Sequence, residues 1–531
     1  MSQFAHYSTQ LKNSLEVARP FKTDKTIRIQ QYDGFIKGDV SGIQDFIFSV
    51  RSEGASKSLK SRSHFVGVLT DICVAMIEQN LGKANFELVY NGGGNFYGFI
   101  KGYKPDWEKW IQQKIDAALV HESIYISLTA IPIPKNTSDF GAIWQQAEAK
   151  SGQTKQAKLK TLSFERVFNP FEKTPLFNSK HWSDFTQRLT HSNSFVINPL
   201  STEQSTKIES SYFHILGYEY RLDVPSNNTF TGQITNKLPL MGRKEVKTFE
   251  ELADEAHTRT GSKKLAVLKV DVDDLGKTFQ GIQDVNRGKA VSESLSQFFN
   301  QHFYELWSKH HFSDGLGGKH FFSDNIYPVF AGGDDCFLIG AWDSVFEFAH
   351  LLQQQFKSFT NGKITLSGGL LVIDPHFPVV RFAEMAESAL KNAKSNERNT
   401  KGDYVKSKIS VFGEVLTWEE YQSAKKIAWQ LYVLIKVKGE SRAILDRIKR
   451  SKVGFDRLQK IVLEKGIIRA QSVWRLKYFL RNSKETNQAE LAALTDEYAK
   501  LLLDVFLKGN EKNPNLFPVA ARWAEFLTKS S

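Results

Sequence analysis

Twice along this chain the segments follow one order: an apolar, β-branched run, a helical spacing, two short apolar runs joined at glycines, a second helical spacing and a closing apolar run. The clearer copy opens with "LAVLKV" (265–270), continues through the helical spacing of Leu295, Phe298, Phe299, Phe303 and Leu306, reaches "IYPVFAGGDDCFLIG", and closes with "VFEFAHLLQQQFKSF" and "KITLSGGLLVI". The earlier copy reads "YDGFIKGDVSGIQDFIFS", "SRSHFVGVLTDICVAMIEQ", "FELVYNGGGNFYGFI", "WEKWIQQKIDAALV" and "SIYISLTAIPI". Strand, helix, hairpin, helix, strand is the ferredoxin-like α+β arrangement, an antiparallel sheet with helices over one face. Two such units are expected, repeated in architecture and not in close sequence.

The copies differ at the hairpin turn, "GGGN" in the first and "GGDD" in the second. Adjacent like charges cost free energy unless a cation or polar groups compensate them. The topology supplies company for Asp334 and Asp335, because it sets the end of the first strand, with Asp271, Asp273 and Asp274, beside the central turn. Carboxylates converging with few histidines nearby suit Mg²⁺ or Mn²⁺, hard cations that also take phosphate oxygens. Gly332 and Gly333 allow positive φ and a close approach of substrate to the backbone. The helix "FAEMAESALKNAKSNERNT" ends in Lys391 and Lys394, with Arg398 just beyond, a set of cations for a triphosphate.

A length of 531 residues exceeds what one core sustains. The divisions expected are an extension (1–31), a first unit (32–148), a linker with a small intervening domain (149–255), a second unit (256–415) and a helical domain (416–531). Within the third of these, "KSGQTKQAKLK" (150–160) reads as linker or exposed loop. The formal charge of +12 favours an anionic partner. Cys73 and Cys336 are the only cysteines, which excludes a disulfide framework or a four-cysteine zinc ribbon and points to a reducing, cytoplasmic compartment. Neither a secretory leader nor a run of roughly 20 apolar residues is present in the sequence.

Together "VDVDDLGKTF", "AGGDDCF" and "ALKNAKSNERN" resemble the nucleotidyl cyclase and polymerase palm of diguanylate cyclases. The resemblance implies metal ligation by Asp271, Asp334, Asp335 and the Val272 carbonyl, and triphosphate binding by Lys394. The whole chain more closely resembles the large palm-containing subunit of type III CRISPR RNA-guided effector complexes. That likeness rests on "GDVSGIQDFIFSV", "KSLKSRSHFVGVL", "YNGGGNFYGF", "AVLKVDVDDLGKTF", "FAGGDDCFLI" and "KSKISVFGEVLTW". It implies that the second palm converts ATP to cyclic oligoadenylates when guide RNA in the complex pairs with target RNA. The first, degenerate palm would complete the pocket for two ATP molecules, through Gly42, Ile43 and Gln44 and through Gly92, Gly93 and Gly94, without a second metal centre. Many family members open with a histidine-aspartate nuclease domain and carry a zinc ribbon between the palms. With no His-Asp dipeptide and two cysteines here, neither that DNase activity nor zinc is expected.

The basic excess then has a place to act on RNA or neighbouring subunits, through Lys57, Lys60 and Arg62, through Arg447, Lys449 and Arg450, and through "WRLKYFLRN". Three other readings stay open: a stand-alone cyclic dinucleotide synthase, an inactive scaffold subunit, and a templated polymerase.

Overall fold

The computed structural model describes residues 3–529 except 17–25, 51–53, 121, 136, 169–178, 201–206, 210, 223–229, 234–237, 239, 242–244, 316, 396, 400–401, 466–487 and 509–512. After a first helix, α1 (Gln3–Leu15), the chain forms β1 (Gly34–Ser41), α2 (Ile43–Phe48), α3 (Leu59–Leu81), β2 (Phe86–Gly92), β3 (Asn95–Ile100), α4 (Lys109–Leu119) and β4 (Tyr125–Pro132). The sheet order is β2-β3-β1-β4, antiparallel throughout. α5 (Phe140–Gln156) then lies along β1 and β4.

A second sheet repeats that order. After α6 (Phe249–Thr260) come β5 (Leu265–Val272), α7 (Leu275–Gln280), α8 (Val285–Gln297), a π-helical turn (Phe298–His302) and α9 (Phe303–Lys309). The hairpin β6 (Ile326–Gly332) and β7 (Asp335–Ala341), α10 (Trp342–Thr360), β8 (Leu366–Ile373) and α11 (Val379–Ser395) complete it. The sheet runs β6-β7-β5-β8 and continues into β9 (Lys408–Val411), parallel to β8, and β10 (Glu414–Thr417). Helices α12 (Trp418–Tyr432), α13 (Ala443–Lys465), α14 (Gln488–Lys508) and α15 (Leu516–Leu527) follow, and Trp523 of α15 packs edge-on against Phe346 of α10.

Both central strands, β1 and β5, are buried almost end to end because each sheet is covered on both faces. Ile36 and Leu128 point into a core with Ile111 and Ile115 of α4, whereas Phe35 and Ile131 point to one with Phe140 and Trp144 of α5. The covering of the second face is a departure from the one-sided expectation; in the first unit it comes from α5, whose last turns lie in the segment expected to be a linker. Residues 150–156 continue α5, since Phe140, Ile143, Trp144 and Ala147 form a helical apolar stripe and the polar residues after them find partners in the sheet. Lys150 donates to the Ala130 carbonyl at 2.7 Å, and Lys155 pairs with Asp39 at 2.6 Å. The helical stripe through Phe303 is likewise no single α-helix, because one turn has slipped to the π period.

Between the two units, a helix at Ser179–His191 and a five-stranded sheet within residues 194–233 share an aromatic core of Trp182, Phe185, Phe213 and Tyr220. Ser61 of α3 donates to the Trp182 carbonyl at 2.9 Å.

Two cations expected on an RNA-facing surface are instead structural. Lys60 is 1% exposed, and its ammonium donates to Tyr304 Oη (3.2 Å) and the carbonyls of Pro328 (3.2 Å) and Val329 (3.4 Å). Arg62 lies against the rings of Phe46 and Trp182 and donates to the Phe46 carbonyl at 2.7 Å. Both sit at the start of α3, where the chain enters the contact between units, so their long apolar stems pack and their charged ends cap backbone oxygens. Lys57 remains exposed.

Burial pushes the Lys60 ammonium down to about 7. The unfolded chain holds that proton to roughly pH 10.4, so between these values the unfolded state binds more protons and this site makes stability rise with pH. The stability of the parent relative to Lys60→Met should therefore rise between pH 7 and pH 10; urea unfolding at a series of pH values reads it, and a pH-independent difference would refute the assignment.

Candidate active site at the facing hairpin turns

Register alone brings the acids of the second unit together. Asp271, near the end of β5, is the cross-strand partner of Asp335 at the start of β7, and the Val272 amide donates to the Asp334 carbonyl at 2.9 Å. Side chains directly opposite in an antiparallel pair stand about 5 Å apart at Cβ, so three carboxylates share one end of the sheet. Burial raises the Asp334 carboxyl, and burial first, with Asp334 beside it second, pushes Asp335 up to about 7.

The turn does not stand alone. A Cβ placed on Gly333, whose φ is +67°, would lie 2.8 Å from the Cα of Gly93, and one on Gly93, whose φ is +58°, would lie 3.3 Å from the Cα of Gly333. The "GGGN" turn of the first unit and the "GGDD" turn of the second therefore pack backbone to backbone. The first-unit glycines, which also line a cavity, have close neighbours within the protein as well. Gly93 makes room for the opposite turn, Gly94 for Ile43 (2.6 Å) and Gly92 for the Tyr90 hydroxyl (2.9 Å).

Around the acids the cations are distributed unequally. Lys394, in the last turn of α11, pairs with Asp271, and its Nζ lies 3.4 Å from the Val272 carbonyl oxygen and 3.8 Å from Asp273. Burial, then Lys406 and Lys269, bring its ammonium down to about 8. The described partner of Lys391 is Glu387 at 3.4 Å. Arg398 stacks over Tyr404 at 3.9 Å and donates to the Gly402 carbonyl, which places it in the loop beyond α11 and not among the acids. Asp274 adopts the left-handed conformation (φ 54°) and pairs with Lys406 at 2.9 Å.

Asp273 plays another part than its neighbours. Its carboxylate accepts from Thr365 Oγ1 (2.7 Å), Ser367 Oγ (2.8 Å) and the Ser407 amide (3.0 Å). Those bonds tie β5 to β8 and to the segment before β9. Sequence reasoning also passed over the pair of buried Lys269 and half-buried Glu387, to which Gln44 of the first unit adds a bond to Glu387 at 3.1 Å. A lysine inside "LAVLKV" was the available signal, since a charge in an otherwise apolar strand requires a partner.

Two cavities flank the facing turns. One, of about 500 Å³, is lined by Ile43, Gln44, Gly94, Asn300, Gly332 and Asp335 among others, the π-helical turn presenting Asn300 and Gln301 to it. The other, of about 310 Å³, carries Lys37, Asp39, Asn95, Glu148, Gly333 and Asp334. Both fall in the range of small-molecule sites.

Among the described residues no three His, Cys, Asp or Glu side chains stand in metal-holding geometry. The donor chemistry nevertheless fits a hard cation: three carboxylates, two of them half-buried and raised, and the Val272 carbonyl, with Lys394 now turned onto Asp271. Of the tail cations, Lys449 pairs with Glu525 and Arg450 with Asp446 (2.7 Å), while Arg447 is half-buried; the "WRLKYFLRN" segment lies outside the described residues.

Asp273→Ala would strand two hydroxyls and an amide, each costing about 1–3 kcal/mol when buried and unmet. It should lower the thermal midpoint by several degrees, whereas Asp271→Asn should leave it nearly unchanged; equal midpoints for the two would overturn the structural role of Asp273.

The chain is similar to known proteins over most of its length. Residues 264–401 match the family model described as Cas10/Cmr2, second palm domain, and residues 34–173 match Csm1 subunit domain B. The chain is 26% identical to the CRISPR system single-strand-specific deoxyribonuclease Cas10/Csm1 (subtype III-A) of Methanocaldococcus jannaschii, with 80% of this chain and 65% of that protein covered. With its counterpart in Enterococcus italicus the identity is 24%, with 77% and 58% covered. The chain thus spans less than two thirds of the length of these curated relatives. Among solved structures, the Csm1–Csm4 subcomplex of the type III-A CRISPR-Csm interference complex superposes with a TM-score of 0.69 at 20% identity, covering 96% of this chain and 72% of that one. The Csm1–Csm4 cassette in complex with one ATP gives 0.68 at 20% identity, covering 96% and 71%, and the cassette in complex with cA4 gives 0.67 at 19%, covering 94% and 70%.

Proposed function

The chain belongs to the Cas10/Csm1 family of palm-domain subunits of type III CRISPR effector complexes, and on that premise we propose that it converts ATP to cyclic oligoadenylates when guide RNA in the complex pairs with target RNA. The two sheets are read as ferredoxin-like palm domains at 32–148 and 256–415, the first degenerate, with an extension at 1–31, an intervening domain at 149–255 and a helical domain at 416–531. The common strand order, β2-β3-β1-β4 and β6-β7-β5-β8, supports this reading.

The carrying observation is the cross-strand pairing of Asp271 with Asp335 beside Asp334. When bound there, Mg²⁺ or Mn²⁺ would polarise the reacting phosphate and lower the pKa of the attacking ribose hydroxyl. Asp271, Asp334, Asp335 and the Val272 carbonyl would hold it, and Lys394 would move from Asp271 onto the triphosphate. Asp273 fixes the strand end on which Asp271 stands, and Lys269 with Glu387 fixes the strand behind it. Ile43 and Gln44 shape the wall of the larger cavity, Gly42 (φ 80°) turning the chain into α2 just before them, while Gly92, Gly93 and Gly94 line the cavity and Gly93 meets the acidic turn. Lys57 and Arg450 remain the exposed candidates for RNA or subunit contact. Among the described residues no helix is long and apolar enough to cross a membrane, and a cytoplasmic site of action is part of the proposal.

Asp334→Ala combined with Asp335→Ala, co-purified with partner subunits and RNA, should assemble normally yet form no cyclic oligoadenylate from ATP with Mn²⁺ and matched target RNA, by mass analysis. Undiminished product would sink the site assignment. Strong turnover by the isolated chain without RNA would favour the stand-alone synthase, and an assembled but inert parent the scaffold.

A further inference from the structure

Lys60, Arg62, Lys449 and Arg450 all have partners within the chain, so most of the cations expected to meet RNA are already engaged. The stretch from 150 to 168 is built otherwise. It carries Lys150, Lys155, Lys158, Lys160 and Arg166 against a single acid, Glu165. Lys150 and Lys155 are used on the sheet, where they meet the Ala130 carbonyl and Asp39. Lys158, Lys160 and Arg166 are exposed, and among the described residues none of the three pairs with a carboxylate. Asp106, whose charge Lys160 feels, is taken by Lys109 at 2.8 Å.

Two phenyl rings stand among these cations. Phe164 and Phe168 are 74% and 65% exposed, more than any other Phe, Tyr or Trp among the described residues. They are four residues apart across the helical turn Phe164–Val167, which sets them side by side with ring centroids 4.5 Å apart. The segment that carries them is tied down. Leu159 takes the left-handed conformation (φ 55°), its carbonyl accepts from the Leu162 amide at 3.0 Å, and the Thr161 hydroxyl donates to Asp116 of α4. Lys158 rests over the ring of Tyr125 at 4.4 Å. Tyr125 is the cross-strand partner of Ser41, so this surface lies at the end of the first sheet on which the "GGGN" turn stands.

Exposed rings amid unmatched positive charge call for a partner that supplies both flat apolar faces and anions. The two rings offer at most roughly 300–500 Å² between them, short of the about 800 Å² per partner typical of a stable protein interface. A single-stranded nucleic acid needs less, because each base stacks on one ring while its phosphates meet the flanking cations. We propose that residues 158–168 form a surface for single-stranded RNA, with bases stacked on Phe164 and Phe168 and phosphates held by Lys158, Lys160 and Arg166. This rests on the reading of the chain as an RNA-guided subunit and gives that reading a contact surface apart from the acidic turn. Stacking and phosphate contact carry no sequence preference.

The test is fluorescence anisotropy of the full chain with a short labelled single-stranded RNA of mixed sequence, over a series of salt concentrations. Phe164→Ala with Phe168→Ala should weaken binding at least tenfold and leave the salt dependence unchanged, whereas Phe164→Tyr with Phe168→Tyr should retain affinity. Lys158→Gln with Lys160→Gln should flatten the slope of log affinity against log salt by about 1.4, two phosphates at roughly 0.7 each. Duplex RNA, its bases already stacked, should compete poorly, and ultraviolet crosslinking should place RNA on the peptide bearing Phe164 and Phe168. Unchanged affinity of the folded Phe-to-Ala variant, or duplex competing as well as single strand, would overturn the proposal. So would a Phe-to-Ala variant that keeps its RNA affinity but no longer co-purifies with partner subunits, which would make this a protein interface. A parent complex that binds RNA in this way and forms no cyclic oligoadenylate would instead overturn the reading of the acidic turn.

Discussion

The contact on which the molecule turns is that of Gly93 with Gly333, two positive-φ glycines whose backbones meet without side chains between them. Because neither turn can carry a Cβ there without displacing the other, the two sheets are held at one mutual position, and everything that needs residues from both follows from it. The cavities on either side of the turns exist in that position, Gln44 reaches Glu387 across it, and α3 is pressed close enough for Lys60 to cap the carbonyls of β6.

A second constraint is the cost of charge inside doubly covered strands. Lys37 and Asp39 in β1, and Lys269 and Asp271 in β5, interrupt runs that are otherwise apolar, and each is tolerated because a covering helix supplies the opposite charge. The acidic turn of the second unit is the place where this matching is incomplete. Burial there raises the carboxyls of Asp334 and Asp335, the charge of Asp334 adding to the rise of Asp335, and makes that end of the sheet the one suited to a cation.

Much of this could be read from residue order. Alternation and helical period located the strands, hairpins and main helices of both units, since those patterns report burial directly, and the topology then placed Asp271 beside Asp334. What escaped was set by tertiary partners. "KSGQTKQAKLK" is polar enough to be a loop, yet its first seven residues are helical because the preceding apolar stripe docks on β4 and Lys150 and Lys155 meet acceptors in the sheet. "KSLKSR" looks like a surface cluster, but burial of Lys60 depends on a carbonyl row in β6 that lies far along the chain. Asp273 is indistinguishable in sequence from the acids around it; hydroxyls on β8 decide its role.

The π-helical turn at Phe298–His302 carries a final consequence. A π turn is an α-helix with one residue too many, taken up within a single wide turn, so excising a residue would restore the ordinary period while the flanking turns keep their faces. The aromatic stripe of Phe298, Phe299 and Phe303 anchors both flanks in the core, which leaves the bulge as the element free to vary. Insertion and deletion at this one spot thus offer lineages of this protein a route to re-line the cavity beside Asn300 while the sheet and its acids stay in place.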